Sequence, residues 1–181
     1  MWQRVNSYAS IGQAIQVPFT FYYIRNDDWC NTHSYQFWNK NSTTAVGINN
    51  ETIVKTIYSP SPSGYIEPKT AAFTGFTSTG SNTTNGGQFN VSGSINKGWS
   101  FYTNGWKTGG IIFFPILGFR DVIGYRQATG NIIEVGSAGV FWTVGASSTL
   151  NARDMHIGYD AVYPQYEGAR SFGFTYRPVK E

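Results

Sequence analysis

Apolar and polar residues alternate along much of this chain, and few stretches repeat every three or four positions. Within residues 1–24, Val17, Phe19, Phe21 and Tyr23 occupy every second position, which is the period of a half-buried β-strand. No segment carries a helical apolar stripe longer than about three turns. The pattern therefore predicts strands in residues 1–24 and few, short helices elsewhere.

Two later segments also predict strands. The residues from Ile111 to Phe114 form an uninterrupted apolar run, which is typical of a central strand. Near the end of the chain, Phe172, Phe174 and Tyr176 alternate with small or polar residues. We therefore expect the chain to end in a strand.

The connections between the predicted strands are long and contain aromatic residues. Residues 25–52 are mostly polar, but they include Trp29, Tyr35, Phe37 and Trp38. Large rings inside a loop usually hold it against the body of the protein. This segment is therefore predicted to be an ordered loop.

Two other connections differ in character. The prolines of residues 59–64 exclude regular structure and predict a turn. Residues 74–98 are rich in Gly, Ser, Thr and Asn, which resembles low complexity. However, large apolar side chains lie in and beside this segment, and they require a protein interior to pack into. They are Phe73, Phe76, Phe89, Val91 and Trp99.

Length and composition favour a single β-rich domain over residues 1–181. The chain has 181 residues, of which 17% are aromatic, and 21 glycines. This length suits one well-buried core, and the mixture favours pleated strands joined by turns. The predicted class is α+β, rich in β-structure, with few short helices and long ordered loops.

The charges exclude several classes of partner. The net charge of +3 is spread along the chain without a basic cluster, so no nucleic-acid partner is expected. No stretch approaches the roughly 20 apolar residues of a membrane helix, so direct membrane insertion is not expected. Residues 1–16 lack the pattern of an export signal, and such a signal would have to lie outside this fragment.

Candidate catalytic and metal-binding residues are few. Cys30 is the only cysteine, and His33 and His156 are the only histidines. A single Cys-x-x-His supplies half of a zinc ligand set, and the acidic residues show no spacing that implies an acid and base pair. The sequence predicts no metal, no cofactor and no enzymatic activity.

The last third of the chain mixes framework residues with side chains of varied chemistry. Glycines and arginines recur between Gly118 and Arg177, and Trp142 lies among them. The other residues of this region include many tyrosines and short polar side chains, which suit recognition surfaces. The alternative is that Phe141 and Tyr163 fill the core. The predicted ligand-binding residues are Asp121, Tyr125, Phe141, Thr143, Asn151, Asp154, His156, Tyr159, Asp160, Tyr163, Tyr166 and Glu167.

Several motifs in this region resemble one protein family. They read IIFFPILGFRD, GNIIEVGSAGVFWT, ARDMHI and ARSFGFTYRPVKE, with KTIYSPSPSGYIEP upstream. Together they are similar to a family of Bacteroidetes and Fibrobacter surface domains with a C-type-lectin-like fold, and the similarity begins near residue 15. Ser59, Ser61, Thr143 and Tyr176 depart from the usual pattern, and the loop from residue 120 to residue 130 is longer than usual.

The resemblance implies a function. Many members of this family are variable proteins of diversity-generating retroelements, in which residues matching 118–177 are diversified and contact ligand while the framework holds the fold. The expected partner is then a protein or glycan receptor on a cell surface, met outside the cell by a bacterial surface adhesin, a fimbrial tip or a phage tail-fibre tip. The resemblance is compatible with an oligomer and does not fix the number of subunits. The Glu-Pro-Asn and Trp-Asn-Asp motifs of calcium-dependent lectins are missing, as are the cysteines of sulfatase-activating relatives.

Two other hypotheses compete with this one. The chain could be a structural module of a pilus or surface layer without a dedicated ligand site. It could also be a glycan hydrolase, which would need two carboxyl groups in a cleft, drawn from Asp154, Asp160 and Glu167.

Overall fold

The computed structural model describes residues 3–25, 27–93, 95–122 and 130–181. Within these ranges the regular structure is mostly β-strand, with one α-helix, α1 (Ile11–Gln16), and two 3-10 turns at Thr74–Phe76 and Gly86–Gln88. The predicted β-rich α+β class with few short helices is confirmed. The connection from residue 24 to residue 64 contains no strand or helix among its described residues, in agreement with the predicted long loop.

The strands are short and belong to five small sheets. They are β1 (Gln3–Asn6), β2 (Thr20–Tyr23), β3 (Tyr65–Ile66), β4 (Val91–Ser92), β5 (Gly98–Tyr102), β6 (Ile111–Pro115), β7 (Phe119–Arg120), β8 (Ile132–Ile133), β9 (Ala138–Ala146), β10 (Asn151–Gly158), β11 (Val162–Ala169), β12 (Thr175–Tyr176) and β13 (Val179–Lys180). β1 and β2 form a parallel pair, β4-β5-β6 a three-stranded sheet, and β11-β10-β9-β12 a four-stranded sheet, while β13 pairs with β3 and β7 with β8.

The N-terminal segment differs from the predicted run of strands, because α1 lies between β1 and β2. The Ser10 hydroxyl accepts a hydrogen bond from the Gln13 amide at 3.1 Å, and the Gln13 side chain accepts one from the Ser10 amide at 2.8 Å. This reciprocal capping box starts the helix. The spacing Ser10-x-x-Gln13 is the sequence signal for this helix start. The alternation from Val17 to Tyr23, which follows it, favours strands and led to a strand prediction for the whole segment.

Two other predicted strands need correction. β6 forms as predicted, but it is an edge strand of its sheet and not a central one. Its Ile111 and Phe113 side chains are 58% and 47% exposed, whereas Phe114 is buried, because one face alone meets the core. Of the alternating segment from Phe172 to Tyr176, only Thr175–Tyr176 forms a strand, and the last strand of the chain is Val179–Lys180.

Aromatic rings dominate the main hydrophobic core. The rings of Phe76 and Phe101 stack at 4.1 Å, and the Phe114 ring meets the edge of Phe141 at 5.1 Å. Aromatic pairs of this kind add about 0.5–1.5 kcal/mol each beyond the burial of their area. The predicted interior for the rings of residues 73–99 is therefore confirmed, with Phe73, Phe76, Phe89 and Trp99 buried and Val91 packed against them.

Backbone constraints hold the start of the last third in place. Gly118 has a φ of 71°, and a Cβ atom there would collide with the carbonyl oxygen of Ile133. Only glycine accommodates both this conformation and this close approach. The turn that Gly118 permits brings the chain alongside β9, where its amide donates to the Ala138 carbonyl at 2.7 Å.

Candidate ligand-binding site

The register of the four-stranded sheet assigns its side chains to two faces. β10 and β11 are antiparallel, with His156 opposite Tyr163 and Asp154 opposite Tyr166. Directly opposed residues project their side chains to the same side of a sheet. These four side chains therefore share one face, and Met155 and Ile157, which are fully buried, turn to the core on the other face.

Three aromatic side chains on that face form what we call the aromatic patch: His156, Tyr163 and Tyr166. The Tyr163 and Tyr166 rings stack at 5.5 Å, and the His156 ring lies 5.8 Å from Tyr166 and 6.0 Å from Tyr163. The Tyr166 side chain is 45% exposed, and the other two are half-buried. The patch therefore presents aromatic surface to solvent on two long, paired strands.

The imidazole of His156 is held in its neutral form at neutral pH. Burial lowers the pKa of His156 because the charged form loses hydration, and the carboxylate of Glu134 opposes this only in part. A neutral imidazole offers one donor and one acceptor nitrogen. The patch thus combines apolar ring surface with both kinds of hydrogen-bonding group.

The turn between β10 and β11 extends this surface. It carries Tyr159, which is 72% exposed, and Asp160, also exposed. Both line an open groove together with the rings of Phe89 and Trp99, and the Trp99 indole anchors the turn by donating to the Gly158 carbonyl at 3.0 Å. Tyr159 and Asp160 are accordingly accessible to a large partner.

Two predicted residues lie elsewhere on the same strands. Glu167 is exposed, and its carboxylate is 3.6 Å from the guanidinium of Arg153. Asn151 is half-buried at the start of β10, where its amide donates to the Ser148 hydroxyl at 2.9 Å. Asn151 therefore lies at the opposite end of β10 from the turn that carries Tyr159. Glu167 is available to a ligand, whereas Asn151 is distant from the exposed turn.

Phe141 and Thr143 are not part of the exposed surface, contrary to the sequence prediction. Phe141 is 4% exposed and belongs to the core, because its position in β9 faces Met155 and the Phe114 ring. Thr143 is 1% exposed, and its hydroxyl donates to the Arg153 carbonyl at 2.9 Å. The core alternative is therefore correct for Phe141.

Asp121 and Asp154 are also buried, so the structure does not place them on the exposed surface that the sequence predicts. Asp121 is 1% exposed, and its backbone pairs with Asn131 and Gly130 beside the β7–β8 pair. Asp154 is also 1% exposed, and its Oδ2 lies close to Gly168, which the Phe174 ring also approaches. Tyr125, the remaining predicted residue, lies outside the described residues.

Asp154 is electrostatically unusual. Both of its carboxyl oxygens are buried without a hydrogen-bond partner in the described part of the chain. Burial raises the pKa of Asp154 well above its ordinary value, and the nearby Glu167 carboxylate adds to this effect while Arg153 opposes it. The Asp154 carboxyl is thus sealed from solvent, in surroundings that favour its protonated form.

Sequence reasoning missed a second feature, the aromatic cavity. It has a volume of about 620 Å³. The loop rings of residues 25–52 were predicted to pack on the protein body, and the structure confirms this, but the sequence does not indicate that they enclose space. The rings that define the aromatic cavity are Trp29, Phe37, Trp38, Tyr58, Trp142 and Tyr176.

No known protein-family model, curated protein or solved structure matches this chain. Among residues 3–25, 27–93, 95–122 and 130–181, no three His, Cys, Asp or Glu side chains are grouped to hold a metal ion. No helix in the same ranges is long and apolar enough to cross a membrane.

Proposed function

We propose that this chain is a non-enzymatic ligand-binding domain that recognises a protein or glycan receptor through the aromatic patch, with Tyr159, Asp160 and Glu167 at its margins. The observation that carries the proposal is the contact of the His156, Tyr163 and Tyr166 rings on the solvent side of β10 and β11. Tyrosines in the centre of an interface contribute disproportionately to affinity.

The support beneath the patch favours binding. β10 and β11 each contain eight residues, and β9 pairs along the other side of β10. Side chains on paired strands lose little conformational freedom when a partner arrives, which is the advantage of a preorganised site. A rigid aromatic surface of this kind suits either a protein epitope or the apolar face of a sugar ring.

We further propose that the chain has a C-type-lectin-like fold and is a variable protein of a diversity-generating retroelement. Exposed positions such as Tyr159 and Tyr166 tolerate substitution at a cost within about 0.5 kcal/mol, whereas a core position such as Phe141 does not. Diversification should therefore concentrate at the exposed positions. A reverse transcriptase gene and a near-copy of this DNA segment, differing at adenines, should lie near the gene, and their absence would remove this part of the proposal.

Such a domain would act outside the cell, on a bacterial surface, at a fimbrial tip or at a phage tail-fibre tip. The competing proposal, a structural module of a pilus or surface layer, receives no specific support from the exposed patch. A glycan hydrolase would need an accessible pair of acids, and because Asp154 is sealed from solvent, that pair would have to be Asp160 and Glu167.

The test is a double substitution, Tyr163→Ala with Tyr166→Ala, screened on arrays of glycans and cell-surface proteins. We expect the parent chain to bind at least one array member, and the double variant to lose about tenfold or more in affinity. A matched control is Tyr65→Ala, because Tyr65 is 44% exposed in β3, away from the patch. Equal binding by all three proteins, each with an unchanged melting temperature, would show that the aromatic patch is not the binding site. A folded parent chain that binds no array member would favour the structural module.

A further inference from the structure

We infer that the aromatic cavity is a second binding site and that its ligand is a neutral saccharide. The inference is independent of the proposed function, because none of the patch residues lines the cavity. It rests on three properties of the cavity: its size and rings, its lack of available charge, and its supply of hydrogen-bond donors.

The cavity has the dimensions and lining of a small-molecule site. Its volume of about 620 Å³ falls within the roughly 300–1,000 Å³ that is typical of such sites. The rings of Trp29 and Phe37 stack at 6.0 Å on the loop side, and Trp38 lies 6.3 Å from Tyr176 of β12. A mono- or disaccharide fits this volume, and the C–H face of a pyranose packs on such rings.

The lining offers no free charge to an ionic ligand. Among the described residues that line the cavity, Arg170 alone is charged, and its guanidinium lies 5.3 Å from the Phe37 ring centroid, where it occupies that ring face. That guanidinium is also 3.2 Å from the buried Asp28 carboxylate, and it donates to the Ser34 carbonyl at 2.5 Å and the Thr149 carbonyl at 3.3 Å. Its charge is therefore balanced within the protein, and a neutral ligand is favoured.

Six of the aromatic side chains that line the cavity carry a hydrogen-bond donor that pairs with no described residue. The indole N–H groups of Trp29, Trp38 and Trp142 make no hydrogen bond to any described residue. The same holds for the hydroxyl groups of three further lining residues, Tyr22, Tyr35 and Tyr58. A ligand that displaces water from these groups must offer acceptors in return.

The donors distinguish a sugar from a hydrocarbon ligand. A hydrocarbon would strip water from donor groups without replacing it, at a cost of roughly 1–3 kcal/mol for each group left unpaired. A neutral sugar presents hydroxyl oxygens around an apolar ring face, so it can satisfy the donors and stack on the rings at once. The chemistry of the lining therefore matches a neutral saccharide.

The experiment is a titration of the intact chain with methyl glucoside, methyl mannoside, methyl galactoside, maltose, cellobiose and lactose. Binding is followed by tryptophan fluorescence and by saturation-transfer NMR, with glucuronic acid as the charged counterpart and indole as the apolar counterpart. We expect at least one neutral sugar to bind with a Kd of about 1 mM or tighter, and to bind better than either counterpart. The proposal is wrong if no sugar binds at concentrations on the order of 10 mM, or if glucuronic acid or indole binds more tightly.

Three variants locate the binding. Ala14→Phe places a ring into the cavity from α1 and should abolish sugar binding, and Tyr58→Phe removes one donor and should weaken it about tenfold. Tyr166→Ala alters only the aromatic patch and should leave sugar binding unchanged. Unchanged binding in a folded Ala14→Phe protein, or loss in the Tyr166→Ala protein, would show that the sugar binds elsewhere.

Discussion

At the scale of the residue, neighbouring positions in β10 have opposite roles. Asp154 and Met155 are both buried, although strict alternation would expose one of them, and His156 is half-buried beside the exposed Tyr166. The pairing register shifts on each side of Asp154, between Ala152 and Asp154 and between Asp154 and His156. Asp154 keeps the same face of the sheet as His156, but the Phe174 ring packs beside Gly168 next to its carboxyl, so this acidic residue is covered while Tyr166 stays exposed.

The buried carboxyl of Asp154 predicts a specific dependence of stability on pH. Because its pKa is raised in the folded state, the folded protein holds a proton that the unfolded chain releases above pH 4. This proton contributes stability at low pH, and the contribution is lost as pH rises toward the folded-state pKa. Asp154→Asn removes this titration while keeping the shape of the side chain.

We therefore expect Asp154→Asn to match the parent chain near pH 4 and to be the more stable protein at pH 8, where the parent chain has lost the contribution of this proton. Urea unfolding at both pH values measures the difference. Asp160→Asn is the control, since Asp160 is exposed on the turn and its substitution should shift neither value. A parent chain that is more stable than Asp154→Asn at pH 8 would contradict the argument.

At the scale of the element, local sequence signals decide some segments and packing decides others. The six-residue helix α1 is too short to be stable by propensity alone. Its stability therefore depends on its capping box and on the packing of its side chains in the wall of the aromatic cavity. β6, by contrast, has a strand pattern throughout, but only its neighbours determine that it is an edge strand. Length and capping can be read from a sequence, whereas the position of a strand in a sheet cannot.

The capping box makes a prediction for α1. Ser10→Ala removes the hydroxyl that accepts from the Gln13 amide, and loss of such a cap costs about 1 kcal/mol. We expect faster hydrogen exchange at the Ala14 amide, which donates to the Ser10 carbonyl at 3.1 Å, with little change in the core amides of β10. Ser10→Asp keeps an acceptor at the cap and should exchange like the parent chain, and fast exchange in this variant would contradict a capping role.

At the scale of the whole molecule, one buried ion pair connects the long loop to the end of β11. Asp28 is fully buried in the loop, and Arg170 follows β11 with 9% of its side chain exposed. Burial raises the pKa of Asp28 and lowers that of Arg170, while the attraction between the two groups opposes both effects. The loop and the sheet therefore depend on each other through a pair of charges that cannot be separated cheaply.

Breaking this pair from one side should be worse than removing it entirely. Arg170→Met leaves Asp28 buried without its main partner, and we expect a loss of about 3–5 kcal/mol in the free energy of unfolding. Adding Asp28→Leu should restore part of this loss, because no uncompensated charge then remains. Guanidinium unfolding of both variants makes the comparison. A double variant less stable than Arg170→Met would show that the pair does not act as argued.

The sequence by itself determined the β-rich class, the short helical content, the aromatic interior around residues 73–99 and the packing of the long loop onto the body. These depend on periodicity and on the need of large rings for an interior, both of which are local properties. Only the tertiary structure decided that Phe141 faces the core while Tyr166 faces solvent, because strand register, with its two irregularities around Asp154, assigns each side chain to a face. The aromatic cavity was likewise beyond local reasoning, since residues as distant in sequence as Trp29 and Tyr176 enclose it only when the loop folds over the sheet.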